Sequence, residues 1–304
     1  MNLPDLRTFV TASRTDVGRV REANEDFMAA FERPSGHRLL VVADGMGGHR
    51  GGATASRLCV ETIGEVFHRS SEAPEALLRE ALHEANERVY RKAAEEPELA
   101  GMGTTAVLLL LTPDGEAWVA HLGDSRAYLL RDGVMTALTE DHTVVAAMVQ
   151  RGFLTEEAAE SHPRRHELVR CVGFHHAQDP DVTRHEVAPG DRFLLCSDGL
   201  TGLLGSDEIA EILQREALDD AVVTLVEAAN ERGGVDNITV MVGAVPGGAT
   251  TVIDRALSVP SGEWLAASRA QDRRNSHVRR IAGATALVAA ALAAVLVWLS
   301  WDSL

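Results

Sequence analysis

Short apolar runs, bounded by pairs such as Asp-Gly and Asp-Asn, recur between residues 8 and 245. Runs of this length and composition between turn formers are typical of β-strands. The strongest runs span residues 39–43, 105–111, 117–122, 127–130, 193–196 and 238–242. Because isolated strands leave their backbone hydrogen bonds unmade, a chain with this many strands must assemble them into sheets.

The order of strands and helices along the chain predicts an α+β fold. The runs at 105–111, 117–122 and 127–130 are separated only by short turn-forming segments, which predicts an antiparallel meander. Apolar residues at helical spacing predict helices around residues 78–89 and 218–229. Strands in groups, with helices between the groups, favour antiparallel sheets packed with helices over a doubly wound parallel sheet.

The charge balance bears on the class of partner. The formal net charge is −16, and the acidic residues are concentrated in residues 1–250. An acidic body is a poor match for a nucleic-acid backbone, so no nucleic-acid partner is expected. Part of this charge is solvated surface, and part would be carboxylates gathered to bind cations.

The cysteines and the N-terminal residues predict a cytoplasmic domain. The three cysteines, Cys59, Cys171 and Cys196, are far apart and odd in number, as in proteins of a reducing compartment. The first residues lack the basic start and apolar run of a signal peptide.

The C-terminal residues have a different composition. Residues 281–299 contain no charged side chain, and such a helix would be about 28 Å long, close to the thickness of a bilayer core. Arginines precede this segment and tryptophans stand at its other end, which predicts a single-pass helix in the cell membrane with the preceding domain in the cytoplasm. The predicted organisation is a domain over 1–245, a linker over 246–280, the transmembrane helix over 281–299 and an outer tail over 300–304. The alternative is a helix packed in a soluble structure.

Aspartates stand next to the strand-like runs at five places. They are Asp26, Asp44, Asp124, Asp198 and Asp236. Any one of them can be explained as a turn former. Five carboxylates that converge on one rim of a sheet structure would instead repel one another unless hard divalent cations bound them. Because no zinc-type ligand spacing is present, Mg²⁺ or Mn²⁺ is favoured, and the pattern is consistent with a two-metal hydrolase.

Seven motifs, in this order, resemble the metal-dependent protein phosphatase family (PPM, or type 2C) over residues 8–243. The motifs are Arg21-Glu22-Ala23-Asn24-Glu25-Asp26, Val41-Val42-Ala43-Asp44-Gly45-Met46-Gly47-Gly48, Gly103-Thr104-Thr105-Ala106, Gly123-Asp124-Ser125-Arg126, Asp141-His142-Thr143, Leu195-Cys196-Ser197-Asp198-Gly199-Leu200 and Asp236-Asn237-Ile238-Thr239. No single motif is decisive, but seven in one order at matching spacings are highly specific.

The resemblance implies a fold, a reaction and a set of partners. The fold is an α/β/β/α sandwich of two antiparallel sheets flanked by helices. The reaction is hydrolysis of phosphoserine and phosphothreonine in proteins by a hydroxide that bridges two Mn²⁺ or Mg²⁺ ions, with a third ion in bacterial members. The partners are phosphorylated proteins and a bacterial serine/threonine kinase that the enzyme opposes, and the protein is expected to be a monomer.

The resemblance also implies roles for single residues around the two main ions. Asp44 would bridge both ions, and the backbone carbonyl of Gly45 would bind one of them. Asp198 and Asp236 would complete the pair.

The remaining implied roles concern the outer ligands and the substrate. Asp26 and Glu25 would act mainly through coordinated water, and Asp124 would hold the third ion. Arg21 matches the phosphate-binding arginine, whose planar fork suits a phosphoryl group. Met46 stands where animal members have a histidine that is regarded as the proton donor. Our hypothesis is that water on the third ion, near Asp124, supplies that proton.

Residues 143–172 resemble the flap that lies beside the active site in bacterial members. A lid of this kind can position substrates and exclude water. His162 in this segment is a candidate catalytic base, although loop histidines are more often surface or capping groups.

Two alternatives to the phosphatase remain at this stage. A catalytically silent binding module on the same fold would carry damaged metal positions, whereas all the expected aspartates are present. A two-metal hydrolase for nucleotides or nucleic acid would favour a basic channel with aromatic side chains. The acidic body and an aromatic content of 4% disfavour it.

Overall fold

The computed structural model describes residues 9–48, 50–174 and 178–247. All the strand pairs within this part of the chain are antiparallel. The strands are Val10–Asp16 (β1), Phe27–Glu32 (β2), Arg38–Ala43 (β3), Gly45–Met46 (β4), Gly103–Thr104 (β5), Ala106–Leu111 (β6), Glu116–Leu122 (β7), Arg126–Arg131 (β8), Val134–Ala137 (β9), Asp181–Glu186 (β10), Arg192–Cys196 (β11) and Ile238–Ala244 (β12).

The strands form two five-stranded sheets and one short pair. The first sheet has the order β1-β12-β11-β8-β9, and the second has the order β10-β7-β6-β3-β2. The pair β4-β5 lies apart from both sheets. The two large sheets pack face to face through an apolar core that includes Val42, Leu109 and Phe193.

The described residues also form seven α-helices. They are Gly51–Arg69 (α1), Pro74–Glu95 (α2), Val144–Gln150 (α3), Glu156–Glu160 (α4), Asp198–Thr201 (α5), Ser206–Arg215 (α6) and Leu218–Glu231 (α7). The α1 and α2 helices pack together over the second sheet, while α6 and α7 cover the first. Two antiparallel sheets flanked by helices confirm the predicted sandwich.

Burial on both faces explains the strongest sequence signals. Every residue of β6 is buried, since one face meets the other sheet and the opposite face meets helices. A strand of this kind is apolar at successive positions, without alternation. The helices predicted around residues 78–89 and 218–229 correspond to α2 and α7. Leu78 and Val89 are fully buried in α2, and Leu225 is fully buried in α7.

The predicted meander is wrong at its third strand. Strands β6 and β7 pair as expected, but β8 pairs with β11 and β9 in the other sheet. The chain crosses between the sheets at Gly123, which has φ +109°. A Cβ at this position would lie 2.6 Å from Cγ2 of Thr105, so only glycine fits the crossing. The apolar pattern of β8 suits either sheet, and therefore the pattern could not assign it.

The expectations for the C-terminal segments cannot be compared with the structure. The linker from residue 248 onward, the transmembrane helix at 281–299 and the tail at 300–304 lie outside the described residues. Among the helices that the structure does describe, none is long and apolar enough to cross a membrane.

Candidate metal centre

A cavity of about 550 Å³ lies where the strands that carry the predicted aspartates begin or end. Most of the residues predicted for the site line it. They are Arg21, Glu25, Asp44, Gly45, Asp124, Asp198 and Asp236. Asp26 is buried beside them, and its pKa is raised by burial and by the charges of Asp198 and Asp236. The structure thus brings all eight predicted site residues together.

Asp44 follows β3 and is fixed through its backbone. Its N–H donates to Oγ1 of Thr105 at 2.9 Å, and its carbonyl accepts from the N–H of Thr105 and from Oγ1 of Thr104, both at 2.8 Å. The Thr105 hydroxyl also bonds to that of Ser125 at 2.6 Å. These bonds leave the carboxylate of Asp44 to face the cavity.

Gly45 occupies a position with no space for a side chain. A Cβ there would lie 2.2 Å from the carbonyl oxygen of Gly52 and 2.6 Å from that of Glu25. Gly52, at the start of α1, is equally constrained, because its Cβ would lie 2.3 Å from Oε2 of Glu25. The two glycines let the start of α1 approach the acidic cluster closely.

Asp26 is the deepest of the carboxylates. Its Oδ2 accepts a hydrogen bond from Oγ of Ser197 at 2.8 Å. Its Oδ1 is buried and has no hydrogen-bond partner in the described part of the chain. Burial raises the pKa of Asp26 to about 7, and the nearby charges of Asp198 and Asp236 add to the rise.

Asp198 and Asp236 are held side by side by a glycine and an asparagine. A Cβ on Gly199 would lie 2.0 Å from the carbonyl oxygen of Asn237, so the turn after Asp198 packs directly on the turn after Asp236. The side chain of Asn237 accepts from the N–H of Glu25 at 2.8 Å and donates to the carbonyl oxygens of Val17 and Ala23. Asn237 therefore connects the loop before β2 with the start of β12.

Asp124 reaches the cavity from the crossing between β7 and β8. The residue is 9% exposed, and burial raises the pKa of its carboxyl to about 7, with a further contribution from the charge of Asp198. Asp44 shows the same behaviour, because burial and the charges of Asp26, Asp198, Asp124 and Asp236 hold its pKa well above the ordinary range. The carboxylates of the cluster, when ionised, therefore repel one another, and bound cations would relieve this repulsion.

Arg21 stands at the mouth of the cavity. Its Nη2 donates to Oδ2 of Asp236 at 2.7 Å, and the guanidinium is about half exposed. A planar guanidinium beside a carboxylate cluster is well placed to bind an incoming phosphoryl group.

Sequence reasoning assigned no role to several residues of this site. His166, in the predicted flap, lines the cavity with Nδ1 3.4 Å from Oδ2 of Asp198, while Cys171 and Phe174 line it nearby. The flap residues show no periodicity that would have indicated this placement. His162 lies outside the cavity lining, and its Nδ1 accepts from the N–H of Arg164 at 3.1 Å, as a capping group does.

A second group of potential metal ligands lies outside the cavity lining. His121, His142 and Asp181 have ligand atoms within 4.8 Å of one another. They are distinct from the carboxylates that the sequence predicted.

The sandwich with a carboxylate cluster and an arginine at its mouth defines the class of a metal-dependent phosphoryl hydrolase. Residues 18–242 match the family model described as protein phosphatase 2C. The serine/threonine phosphatase stp of Listeria monocytogenes is 37% identical over 234 residues, which cover 75% of this chain and 92% of that protein. The chain belongs to the protein phosphatase 2C family.

Solved structures agree with this assignment. The serine/threonine phosphatase of S. agalactiae superposes with a TM-score of 0.73 at 36% identity, over 78% of this chain and 99% of that chain. A PstP catalytic domain in complex with 2 manganese ions gives a TM-score of 0.70 at 37% identity, over 78% of this chain and 98% of that chain. The predicted family is therefore confirmed by sequence and by structure.

Proposed function

We propose that the protein is a serine/threonine phosphatase that hydrolyses phosphoserine and phosphothreonine in proteins and depends on two Mn²⁺ or Mg²⁺ ions. The observation that carries this proposal is the convergence of Asp26, Asp44, Asp198 and Asp236 on one cavity with Arg21 at its mouth. Family membership and relatives named serine/threonine phosphatase support it.

The residues fit two hard cations. The ligand atoms are carboxylate and carbonyl oxygens, which Mg²⁺ and Mn²⁺ prefer. The buried Oδ1 of Asp26 without a partner is the kind of polar atom that needs a cation or an ordered water. Asp44, the Gly45 carbonyl, Asp198 and Asp236 would hold the two ions, with Asp26 and Glu25 acting through water. Bound there, the ions would supply Lewis acidity and activate water for attack on phosphorus.

The chain's own groups position the substrate around this centre. Arg21 would bind and orient the phosphoryl group through two parallel N–H···O bonds. Asp124, which also lines the cavity, is proposed to hold a third ion. The flap, with His166 on the cavity wall and Phe174 just after it in the chain, would restrict which phosphorylated segments enter.

Substrate class provides the test against a nucleotide-directed hydrolase. The protein with Mn²⁺ should hydrolyse a phosphothreonine peptide and leave a dinucleotide intact, because the acidic cavity offers no basic channel for a second phosphate. The reverse preference would contradict the proposal. A folded protein that binds Mn²⁺ but hydrolyses neither substrate would indicate the silent binding module.

We further propose that residues 281–299 anchor the protein in the cell membrane, with the phosphatase domain in the cytoplasm and residues 300–304 outside. The support is the uncharged segment itself, the preceding arginines and the tryptophans at its far end. An anchor would concentrate the enzyme near membrane-bound substrates, of which a serine/threonine kinase and its phosphorylated targets are the proposed class.

Fractionation of cells tests the anchor. The full chain should sediment with membranes and resist extraction by carbonate at high pH. Substitution of Leu292 and Val295 by arginine should release it, because a charged residue at a helix centre costs about 3 kcal/mol of insertion free energy. Arginines in place of Ser258 and Ser261, in the linker, provide the matched control. Membrane association that survives the changes at Leu292 and Val295 would contradict the anchor.

A further inference from the structure

His142 is a buried histidine outside the cavity that contacts the segment carrying Asp124. Its ring atom Nδ1 accepts a hydrogen bond from the N–H of Gly123 at 3.2 Å. Its own backbone N–H donates to the carbonyl oxygen of Gly123 at 3.0 Å. One residue therefore holds both polar backbone groups of the glycine that precedes Asp124.

These contacts fix the protonation state of the ring. Because Nδ1 accepts from Gly123, the proton lies on Nε2, which is 3.2 Å from Oδ2 of Asp181 and donates to it. Asp181 is in turn held by the guanidinium of Arg170 through contacts of 2.7 and 3.1 Å. Burial lowers the pKa of His142 to about 4, with His121 and Arg170 contributing, so the ring stays neutral and keeps its acceptor.

The ring of His142 is also clamped from the side. It stacks on His121, with ring centroids 4.3 Å apart and planes inclined by 25°. The Nε2 of His121 lies 2.8 Å from the carbonyl oxygen of Glu140, which precedes His142 by two residues. His121 and His142 are each 4% exposed, so the position of each ring depends on the other and on these bonds.

The backbone of His142 extends the connection to the base of the flap. Its carbonyl oxygen accepts from the N–H of Val169 at 2.8 Å, and Thr143 bridges to Leu168. Leu168 lines the cavity together with His166. His142 thus connects the Asp124 turn on one side with the returning segment of the flap on the other.

A metal site at His121, His142 and Asp181 is disfavoured by the same contacts. The His142 nitrogens and the Nε2 of His121 are engaged in hydrogen bonds, and the guanidinium of Arg170 already neutralises Asp181. A cation would have to displace all of these partners. His121, His142 and Asp181 therefore have their hydrogen-bond and ion-pair partners within the protein, and they form a structural network.

We propose that His142 is a positioning residue, which holds the Gly123–Asp124 turn at the cavity and couples it to the base of the flap. The inference rests on the proposed function in one respect, namely that Asp124 binds a cation. Loss of the Nδ1 acceptor leaves the buried N–H of Gly123 without a partner, and the turn would relax to satisfy it.

The test compares two substitutions, each of which keeps a polar group at the position of only one of the two ring nitrogens. In His142→Asn the side-chain oxygen takes the place of Nδ1 and still accepts from Gly123, but the contact with Asp181 is lost. In His142→Gln the amide takes the place of Nε2, and the Gly123 acceptor is lost. Mn²⁺ binding to the metal-free, full-length protein is measured by titration calorimetry. The same titration of Asp124→Asn identifies which Mn²⁺-binding step depends on Asp124.

The expected result is a specific change at one site. His142→Gln should weaken the Asp124-dependent site about tenfold, as one lost buried hydrogen bond implies, while His142→Asn stays within about threefold of the unsubstituted protein. Equal effects of the two substitutions, or none, would overturn the inference while leaving the proposed function in place. Absence of Mn²⁺ binding in the unsubstituted protein would overturn the proposed function and this inference with it.

A measurement without substitutions covers the case in which both variants fold poorly. Nitrogen NMR of the unsubstituted protein with Mg²⁺ should show His142 as a neutral imidazole with its proton on Nε2 at pH 7. A proton on Nδ1 would exclude the bond from Gly123 and overturn the inference.

Discussion

Arg21 and Asp236 form an ion pair across the mouth of the cavity, with Nη2 of the arginine 2.7 Å from Oδ2 of the aspartate. In the proposed function each has another partner, since Arg21 binds phosphate and Asp236 binds a cation. A cation at Asp236 would weaken its hold on Arg21 and make the guanidinium available. Binding of metal and binding of substrate are therefore expected to support each other.

Substitution of Arg21 by lysine tests the phosphate contact. Lysine keeps the charge but loses the planar fork, so kcat/KM for a phosphothreonine peptide should fall about 10- to 100-fold, mainly through KM. Arg19→Lys makes the same chemical change two positions away, outside the cavity lining, and should stay within about twofold. Similar losses in both variants would argue against a specific role of Arg21.

Substitution of Gly199 by alanine tests the packing of the two turns that carry Asp198 and Asp236. The added Cβ would lie 2.0 Å from the carbonyl oxygen of Asn237, so Asp198 and Asp236 must move apart. The free energy of unfolding should fall by about 1–3 kcal/mol, as overpacking does, and activity should be lost. Gly205→Ala is the control, because nothing lies within 4 Å of its Cβ and its φ is −74°. Unchanged melting and Mn²⁺ binding in Gly199→Ala would contradict the geometry.

The stability of the metal-free protein should depend on pH through the carboxylate cluster. In the folded protein the pKa values of Asp26 and Asp124 are about 7, whereas in the unfolded chain they are about 4. Between these values the folded state binds more protons, so the free energy of unfolding decreases as the pH rises from about 4 to about 7. Thermal melting from pH 5 to pH 8 measures this decrease.

Two comparisons isolate the cluster's contribution to that pH dependence. Saturating Mg²⁺ should flatten the decrease, because cations bind the deprotonated carboxylates. Asp26→Asn should reduce it in the absence of metal, since one titrating group is gone. A melting temperature that rises steadily with pH in the metal-free protein would contradict this account.

Substitution of Asp124 by asparagine tests the origin of the leaving-group proton. An alkoxide leaving group needs a proton, whereas a nitrophenolate does not. At saturating Mn²⁺, Asp124→Asn should therefore slow the turnover of an alkyl phosphate about 10- to 100-fold, and that of an aryl phosphate much less. Unchanged turnover of the alkyl phosphate would exclude Asp124 from this role.

Four of the five aspartates of the site lie within two residues of a strong strand signal, which made them predictable from the pattern. Asp26 precedes β2, which gave no such signal, and it was assigned through its motif. Asp44 follows β3 directly, and Asp236 stands two residues before β12, so antiparallel pairing brings such positions to one end of the sandwich. Motif order then identified the family. These signals are local in the chain, so they can be recognised without knowledge of the order of strands in the sheets.

The supporting contacts could not be predicted in the same way. The sheet to which β8 belongs is set by its long-range pairing with β11. The apolar pattern of β8 gives no information about that pairing. The bonds of Asn237 to Glu25 and of Ser197 to Asp26 span more than 170 positions. His166 approaches Asp198 from a segment without periodicity, and so no pattern distinguished it from His162.

The most direct test of the phosphatase is an assay of the full-length protein, stripped of metal, on a phosphothreonine peptide with and without Mn²⁺. Asp44→Asn is assayed beside it, with Asp114→Asn in the turn between β6 and β7 as the control. The account predicts activity that requires Mn²⁺, is lost in Asp44→Asn by a factor of about 1,000 or more, and persists in Asp114→Asn. Activity without metal, or full activity in Asp44→Asn, would contradict it.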